Sequence, residues 1–431
     1  MRIHKTLNGS RSTRPFLVLV MCALGCAVPA MGAALEAGDR IAICGDSITE
    51  QRLYTVYMED YLLMCQPVPI ASAQQFGWSG EALPGLLRRV GTDVLPFRPT
   101  VATTLYGMND GGYKPTNPDT VSAFQRNTTA AIRALRAGGA RLVLVGSPGA
   151  VDTDTFRGFF AAGCSSEAYN QTLLDLGQAA KSAAQAEGAV WVDVHSVMMD
   201  AMARAKARYG HEYALAADGV HPSPNGQLLM AYAFLRAMGC TGDIGTITVD
   251  AKTGIASATQ GHRILAASPS RIEVESTRYP FCFTDDPASP VSTRSILGCV
   301  PFNEDLNRLR LVVTNAPARM SVTWGDESKV FSADELARGV SLSGEFLRNP
   351  FTDAFARVDA AVAAQQGYET PAVKSMLDGL ASWRKFFPEM EPRYDEMQAE
   401  VVRKDLLLYE ESRAAVRPVR HVIELRPASA P

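Results

Sequence analysis

Between residues 40 and 239, short apolar runs alternate with stretches whose apolar residues recur at helical spacing. Arg40-Ile41-Ala42-Ile43-Cys44, Val101 to Tyr106, Leu142-Val143-Leu144-Val145 and Val190 to Val194 are the runs, and such unbroken apolar character suits strands buried on both faces. Val121, Phe124, Thr128, Ile132 and Leu135 fall on one helical face, as do Leu173, Leu176 and Ala180. Gly226 to Met238 reads as a closing helix. This alternation predicts a parallel sheet covered by helices on both faces, with functional loops gathered at its carboxyl edge.

Beyond Gly239 the period changes. Gly245 to Asp250, Arg271 to Glu275, Arg308 to Thr314 and Met320 to Trp324 largely alternate apolar with polar, which predicts a half-exposed antiparallel β region with a turn at Gly325-Asp326. Ser332 and Glu335 have capping-box spacing, and helices follow. Asn349-Pro350 starts one, with Phe351, Phe355, Val358 and Val362 on a face. Thr370-Pro371 starts another, with Met376, Leu380, Trp383 and Phe387 aligned, and a third runs from Tyr394 to Ala414. Stripes of this kind are expected in the core, as are Trp324 and Tyr279, for which packing is favoured over sugar stacking. The tail from Val416 reads as extended. These shifts divide the chain into 1–33, 36–243, 244–331 and 332–431.

A length of 431 residues exceeds what one core usually serves. The net charge of −3 leaves no basic field for nucleic acid. Arg2, Lys5, Arg11 and Arg14 precede an apolar run from Phe16 to Ala30 that ends in small residues, the layout of a secretory signal peptide over 1–33. Secretion or a periplasmic location follows. The alternative is an uncleaved membrane anchor, because Pro15 to Leu35 approaches the roughly 20 residues that span a bilayer. Export permits disulfides, and Cys282 and Cys299, flanking a loop of Asp, Pro and Ser, are the expected pair. Cys44 reads as a small buried hydrophobe. No Cys/His spacing suits a metal, so neither metal nor cofactor is expected.

The chemistry lies in four blocks: Gly45-Asp46-Ser47-Ile48-Thr49, Gly77-Trp78-Ser79-Gly80-Glu81, Gly107-Met108-Asn109-Asp110 and Asp218-Gly219-Val220-His221. They supply a serine nucleophile, donors for an oxyanion, and an imidazole base with a carboxylate three residues upstream. His195 closes a strand and His211 lacks a matching aspartate, so neither competes well with His221; Asp193 reads as structural. In order, the blocks resemble those of the SGNH hydrolase superfamily, the GDSL esterases and lipases, over roughly residues 39–239. The resemblance implies a three-layer α/β/α fold, Ser47, Asp218 and His221 as the triad, and Ser47, Gly80 and Asn109 as the oxyanion hole. Members often carry Asn before the glycines of the second block, where Gln74 and Gln75 stand here. The expected activity is an exported serine esterase removing small acyl groups, acetyl foremost, with acylated polysaccharide as a candidate substrate. A lipolytic acylhydrolase or thioesterase is the alternative, and a non-catalytic binding protein the third reading.

Overall fold

In the computed structural model, which describes residues 34–284 and 289–429, the apolar runs of the first half become a parallel sheet. The expected signal segment 1–33 lies outside the described residues. Strands β1 (Arg40–Gly45), β2 (Ser72–Gly77), β3 (Val101–Leu105), β4 (Leu142–Gly146) and β5 (Val190–Val192) lie in the order β2-β1-β3-β4-β5. Between and after them come α1 (Ser47–Glu50), α2 (Tyr54–Met64), α3 (Leu83–Arg89), α4 (Pro118–Ala137), α5 (Ser166–Ala186), α6 (Val194–Tyr209) and α7 (Pro224–Ala237). Because successive strand residues point to opposite faces, Ile41 and Ile43 join a core with α2, α6 and α7. Ala42 and Cys44 join another with α3, α4 and α5. The fold is the expected three-layer α/β/α sandwich.

Two of these elements carry no sequence signal. β2 reads Ser-Ala-Gln-Gln-Phe-Gly, yet all six residues are buried. α2 is buried on nearly every side, so its apolar residues form no stripe.

The second half contains β6 (Asp243–Asp250), β7 (Ala256–Ala258), β8 (His262–Ser268), β9 (Arg271–Ser276), β10 (Arg308–Thr314), β11 (Arg319–Trp324), β12 (Glu327–Ser332), β13 (Val340–Ser341) and β14 (Val419–Pro427). Its short helices are α8 (Phe302–Leu306), α9 (Ala333–Arg338) and α10 (Leu342–Glu345). One sheet has the order β13-β10-β6-β7, the other β12-β11-β14-β9-β8. The antiparallel expectation fails at one point: β6 and β10 pair in parallel, the intervening strands acting as the crossover such pairing needs. The tail is a central strand, since β14 pairs with both β9 and β11. The stretches 244–331 and 332–431 thus share a sheet. Trp324 is fully buried, its indole N–H donating to His421 Nδ1 at 3.1 Å. Ser332 and Glu335 form the expected capping box. Cys282 and Cys299 are both buried free thiols, the Cys282 thiol facing Pro280 O at 3.6 Å and Asn349 Oδ1 at 3.8 Å, so the expected disulfide is not formed.

The long helices are α11 (Thr352–Pro371), α12 (Asp378–Phe386) and α13 (Glu391–Ala415). Pro371 ends α11 instead of opening a helix. A π-helical turn over Ala372–Leu377 follows it and carries the chain into α12, accommodating the missing N–H. The stripe expected in the core is mostly outside it: Leu380 is buried, but Met376, Trp383 and Phe387 are exposed, the first two along an open groove between α12 and α13.

The edge of β2 is completed by α11. Gln365 Nε2 donates to Ala73 O at 3.0 Å, and the Gln75 backbone N–H donates to Glu369 Oε2 at 2.7 Å. Around this seam, Glu59, Glu369 and Asp405 are buried together, and the partners of the first two are amides: Gln366 Nε2 meets Glu59 Oε2 at 2.8 Å and Gln365 Nε2 meets Glu369 Oε1 at 3.1 Å. Burial pushes all three carboxyls up, and their proximity adds to the effect on Glu59 and Glu369. The fold therefore holds protons that the unfolded chain releases in the ordinary carboxylate range. Stability from this source is full at low pH and is lost as pH rises from that range toward about 8, the value reached by Glu59. Glu59→Gln should accordingly raise the thermal midpoint relative to the unmodified protein at about pH 8, with the gain shrinking toward about pH 5. A difference between the two midpoints that stays constant across that span contradicts this account.

Candidate active site

β1, β2 and β3 end level with one another, Gly45 standing in register with both Gly77 and Leu105. The loops that follow them therefore emerge at one edge, as the sequence predicts. Asp46 caps α1, its Oδ1 accepting from the Ile48 N–H at 3.0 Å, and this sets Ser47 at the first helical position. Burial raises the Asp46 carboxyl to about 7. Ser47 Oγ lies 2.9 Å from His221 Nε2, and His221 Nδ1 lies 2.7 Å from Asp218 Oδ2. The other Asp218 oxygen accepts the backbone N–H groups of Val220 and His221 at 2.9 and 2.8 Å. Burial raises the Asp218 carboxyl, but His221 and those backbone donors outweigh it, leaving the group below its ordinary value and ionised. Gly219 makes the loop possible: its φ is +84°, and an added Cβ would lie 2.3 Å from the Phe156 Cα.

The second block forms a turn against the first. The Trp78 N–H donates to Gly45 O at 3.0 Å, the Ser79 N–H donates to Glu50 Oε2 at 2.5 Å, and Gly80 follows with φ +76°. Asn109 sends one amide proton to Glu81 O at 3.0 Å, while the Tyr113 hydroxyl lies 3.4 Å from its Oδ1. Asp110 accepts from the Leu83 and Gly107 N–H groups at 3.0 and 3.1 Å, tying the second and third blocks together, and burial raises it to about 6. Behind them, buried Arg89 grips Glu81 through two bonds of 2.9 and 2.7 Å and donates to Phe76 O at 2.7 Å.

The competing residues lie elsewhere in role. Asp193 caps α6, accepting from the Ser196 N–H at 2.9 Å. His195 is buried in the first turn of that helix, and burial holds its imidazole below the ordinary range. His211 is exposed. Among the described residues no group of His, Cys, Asp and Glu is arranged to hold a metal.

Residues 43–229 match the GDSL-like lipase/acylhydrolase family. This domain belongs to that family. It is a hydrolase of ester bonds. No curated protein matches the chain significantly. Among solved structures, a gut microbial diltiazem-metabolizing enzyme aligns over 92% of this chain and 99% of its own, with 18% identity and a TM-score of 0.67, so the two share a fold through the second half as well. An acetylxylan esterase from Geobacillus stearothermophilus covers 47% of this chain and 95% of its own at 20% identity and TM-score 0.38. An α/β hydrolase from the metagenome of Lake Arreo, Spain, covers 48% and 97% at 21% and 0.38.

Sequence reading of this GDSL-like domain overlooked Glu50, Tyr113, Phe160 and the Glu81–Arg89 pair. Glu50 could have been found, since it lies one helical turn after Ser47. The others are brought in by folding alone. For the ion pair the consequence is energetic. Removing one partner of a buried pair strands a charge, at a cost of about 3–5 kcal/mol. Arg89→Met should lose stability of that order in urea unfolding, and Arg89→Met with Glu81→Gln should recover much of it. A single variant as stable as the parent would show that the charge is not confined.

Proposed function

We propose that the protein is an exported serine esterase that hydrolyses small acyl esters, acetyl foremost, using Ser47, His221 and Asp218. The observation carrying this reading is the unbroken line from Ser47 Oγ through both His221 nitrogens to Asp218 Oδ2. His221 Nε2 takes the serine proton as Oγ attacks the ester carbon. Asp218 fixes the tautomer and stabilises the imidazolium. The backbone N–H groups of Ser47 and Gly80, with the amide proton of Asn109 not engaged by Glu81, receive the developing oxyanion. The imidazolium returns its proton to the departing alkoxide. Water, deprotonated by the same base, then releases the acid and restores Ser47. Export rests on the sequence of 1–33.

The hollow at Ser47 is shallow and open, about 270 Å³, and its lining of Glu50, Gln51, Ser79 and His221 is polar and offers little grip on a long alkyl chain. This favours an esterase of short acyl groups over a lipolytic acylhydrolase. A series of p-nitrophenyl esters should show activity falling steeply beyond the shortest acyl chains, and a preference for long chains would restore the lipolytic reading. Ser47→Ala should reduce hydrolysis to background and abolish labelling by a fluorophosphonate. Asp218→Asn should cost on the order of 10⁴ in kcat, as the equivalent change does in a serine protease. Asp193→Asn, which keeps a helix cap, should stay near the parent. If the two aspartates exchange these outcomes, the orienting carboxylate has been misassigned.

The alcohol side has a different character. Because the imidazolium hands its proton to the leaving oxygen, the alcohol part must lie beside His221. There Phe160 meets the His221 ring edge-on at 6.0 Å, and Phe159 stands 5.6 Å from Phe160 with 85% of its surface exposed. An exposed ring joined to the base favours a cyclic alcohol whose C–H face stacks on it, a pyranose above all, which supports the carbohydrate reading. Phe159→Ala should raise KM for acetylated xylo-oligosaccharides several-fold and leave ethyl acetate hydrolysis unchanged. An equal effect on both esters would dismiss the platform, and an effect on phenyl acetate alone would make the alcohol aromatic.

A further inference from the structure

We propose that Lys374, from the C-terminal half of the chain, is a positioning residue that holds the oxyanion turn through Glu50. The inference rests on the reading of Ser47 given above. Lys374 belongs to the π-helical turn that follows Pro371. It is delivered to the site because Gln365 and Glu369 fasten α11 to the edge of β2, and because Val373 and Leu377 are buried in the core that includes Leu83 and Leu86 of α3. Its ammonium donates to Glu50 Oε1 and Oε2 at 2.9 and 3.0 Å. Glu50 Oε2 in turn accepts the Ser79 N–H at 2.5 Å.

Three further contacts make this a brace and not a surface ion pair. Glu50 shares the single turn of α1 with Ser47, so the carboxylate is fixed relative to the nucleophile. The same ammonium stands 5.3 Å from the Trp78 ring centroid, and the Trp78 N–H is bonded to Gly45 O. Residues 78 and 79 are therefore both held, one to the strand bearing the nucleophile and one to Glu50, immediately before Gly80. The side chains of Lys374 and Glu50 are only 28% and 18% exposed, which limits screening. Burial raises the Glu50 carboxyl, but Lys374 and Ser79 outweigh it and keep the group ionised below its ordinary range.

Without the ammonium, a half-buried carboxylate loses its counter-charge and turns toward water. The Ser79 N–H then loses its acceptor, and the turn can rotate about Ser79–Gly80. A donor lowers the barrier only when aimed where the oxyanion forms, so the loss falls on kcat and not on ground-state binding.

Lys374→Met keeps the aliphatic stem over Trp78 and removes the charge; Lys374→Arg keeps the charge. On p-nitrophenyl acetate, Lys374→Met should lower kcat by roughly tenfold or more, approaching the 10²–10³ of a lost donor, with KM within about twofold. Inhibition by a small alkyl boronic acid, whose serine adduct is tetrahedral, should weaken in parallel. The rate loss should persist at temperatures well below the variant's thermal midpoint, and Lys374→Arg should recover most of the rate. The inference is overturned by a Lys374→Met enzyme with kcat within about twofold of the parent, by a rate loss that tracks a lowered midpoint, or by an arginine variant no better than methionine. Ser47→Ala, measured alongside, separates the two readings. Activity persisting there removes the assignment of the site itself, whereas loss there beside a fully active Lys374→Met removes only the brace.

Discussion

The outer edge of β2 is the constraint on which the site depends. An edge strand presents N–H and C=O groups that must be satisfied or covered. Here that edge also leads straight into the turn bearing Gly80, so whatever completes it sets the geometry of the chemistry. The completing groups are side chains, Gln365 to Ala73 O and Glu369 to the Gln75 N–H, and they belong to a helix nearly 300 residues further along. Covering an edge with a helix is common. Fastening it by paired side-chain bonds ties the position of α11 to the register of β2, and through β2 to Gly45 and Ser47.

That arrangement explains why so many polar groups are buried where α2, β2, α11 and α13 meet. An amide or carboxyl taken out of water is costly unless bonded. Gln365 answers this on both ends, donating to Ala73 and Glu369 and accepting from Ser412 at 3.0 Å. Gln366 does the same between Thr55 and Glu59. Burial and the neighbouring carboxyls favour the neutral form of Glu59 and Glu369, and they outweigh the amide donors of Gln365 and Gln366, which favour the ionised one.

The same seam marks the boundary of what was legible in the chain. β1, β3 and β4 are buried on both faces, largely by apolar residues, and β5 is apolar though only partly buried, so hydrophobic runs reveal all four. β2 is buried just as deeply by hydrogen-bonded amides, and no rule based on apolar runs can find it. The loops were readable for a related reason. Asp218 and His221 lie three residues apart and act on each other locally, so their geometry is carried by one short segment. The Glu81–Arg89 pair, Tyr113 and Lys374 act across the fold, and their positions have no meaning until the strands are in place. The exposed stripe on α12 failed in the opposite sense. Its spacing is helical, as expected, but periodicity reports only that residues share a face, not that another element covers it.

A serine-based site needs two alignments to hold at once, nucleophile to base and nucleophile to oxyanion donors. In this chain the two have separate supports. His221, the proposed base, sits on a loop braced by Phe156 and Asp152, the Asp152 N–H donating to Gly219 O at 2.9 Å, while Lys206 clamps the Asp152 carboxylate at 2.7 Å. Those supports come from within the α/β half. The turn bearing Gly80 leans instead on α11 and the residues after it. Disturbance of the C-terminal helices therefore reaches the oxyanion turn without first passing through His221, and disturbance of the 152–219 contact reaches the base without moving Gly80. On the proposed reading, the C-terminal half acts through Lys374, Glu50 and Ser79 on stabilisation of the tetrahedral intermediate, whereas the alcohol is met by Phe159 and Phe160 of the α/β half.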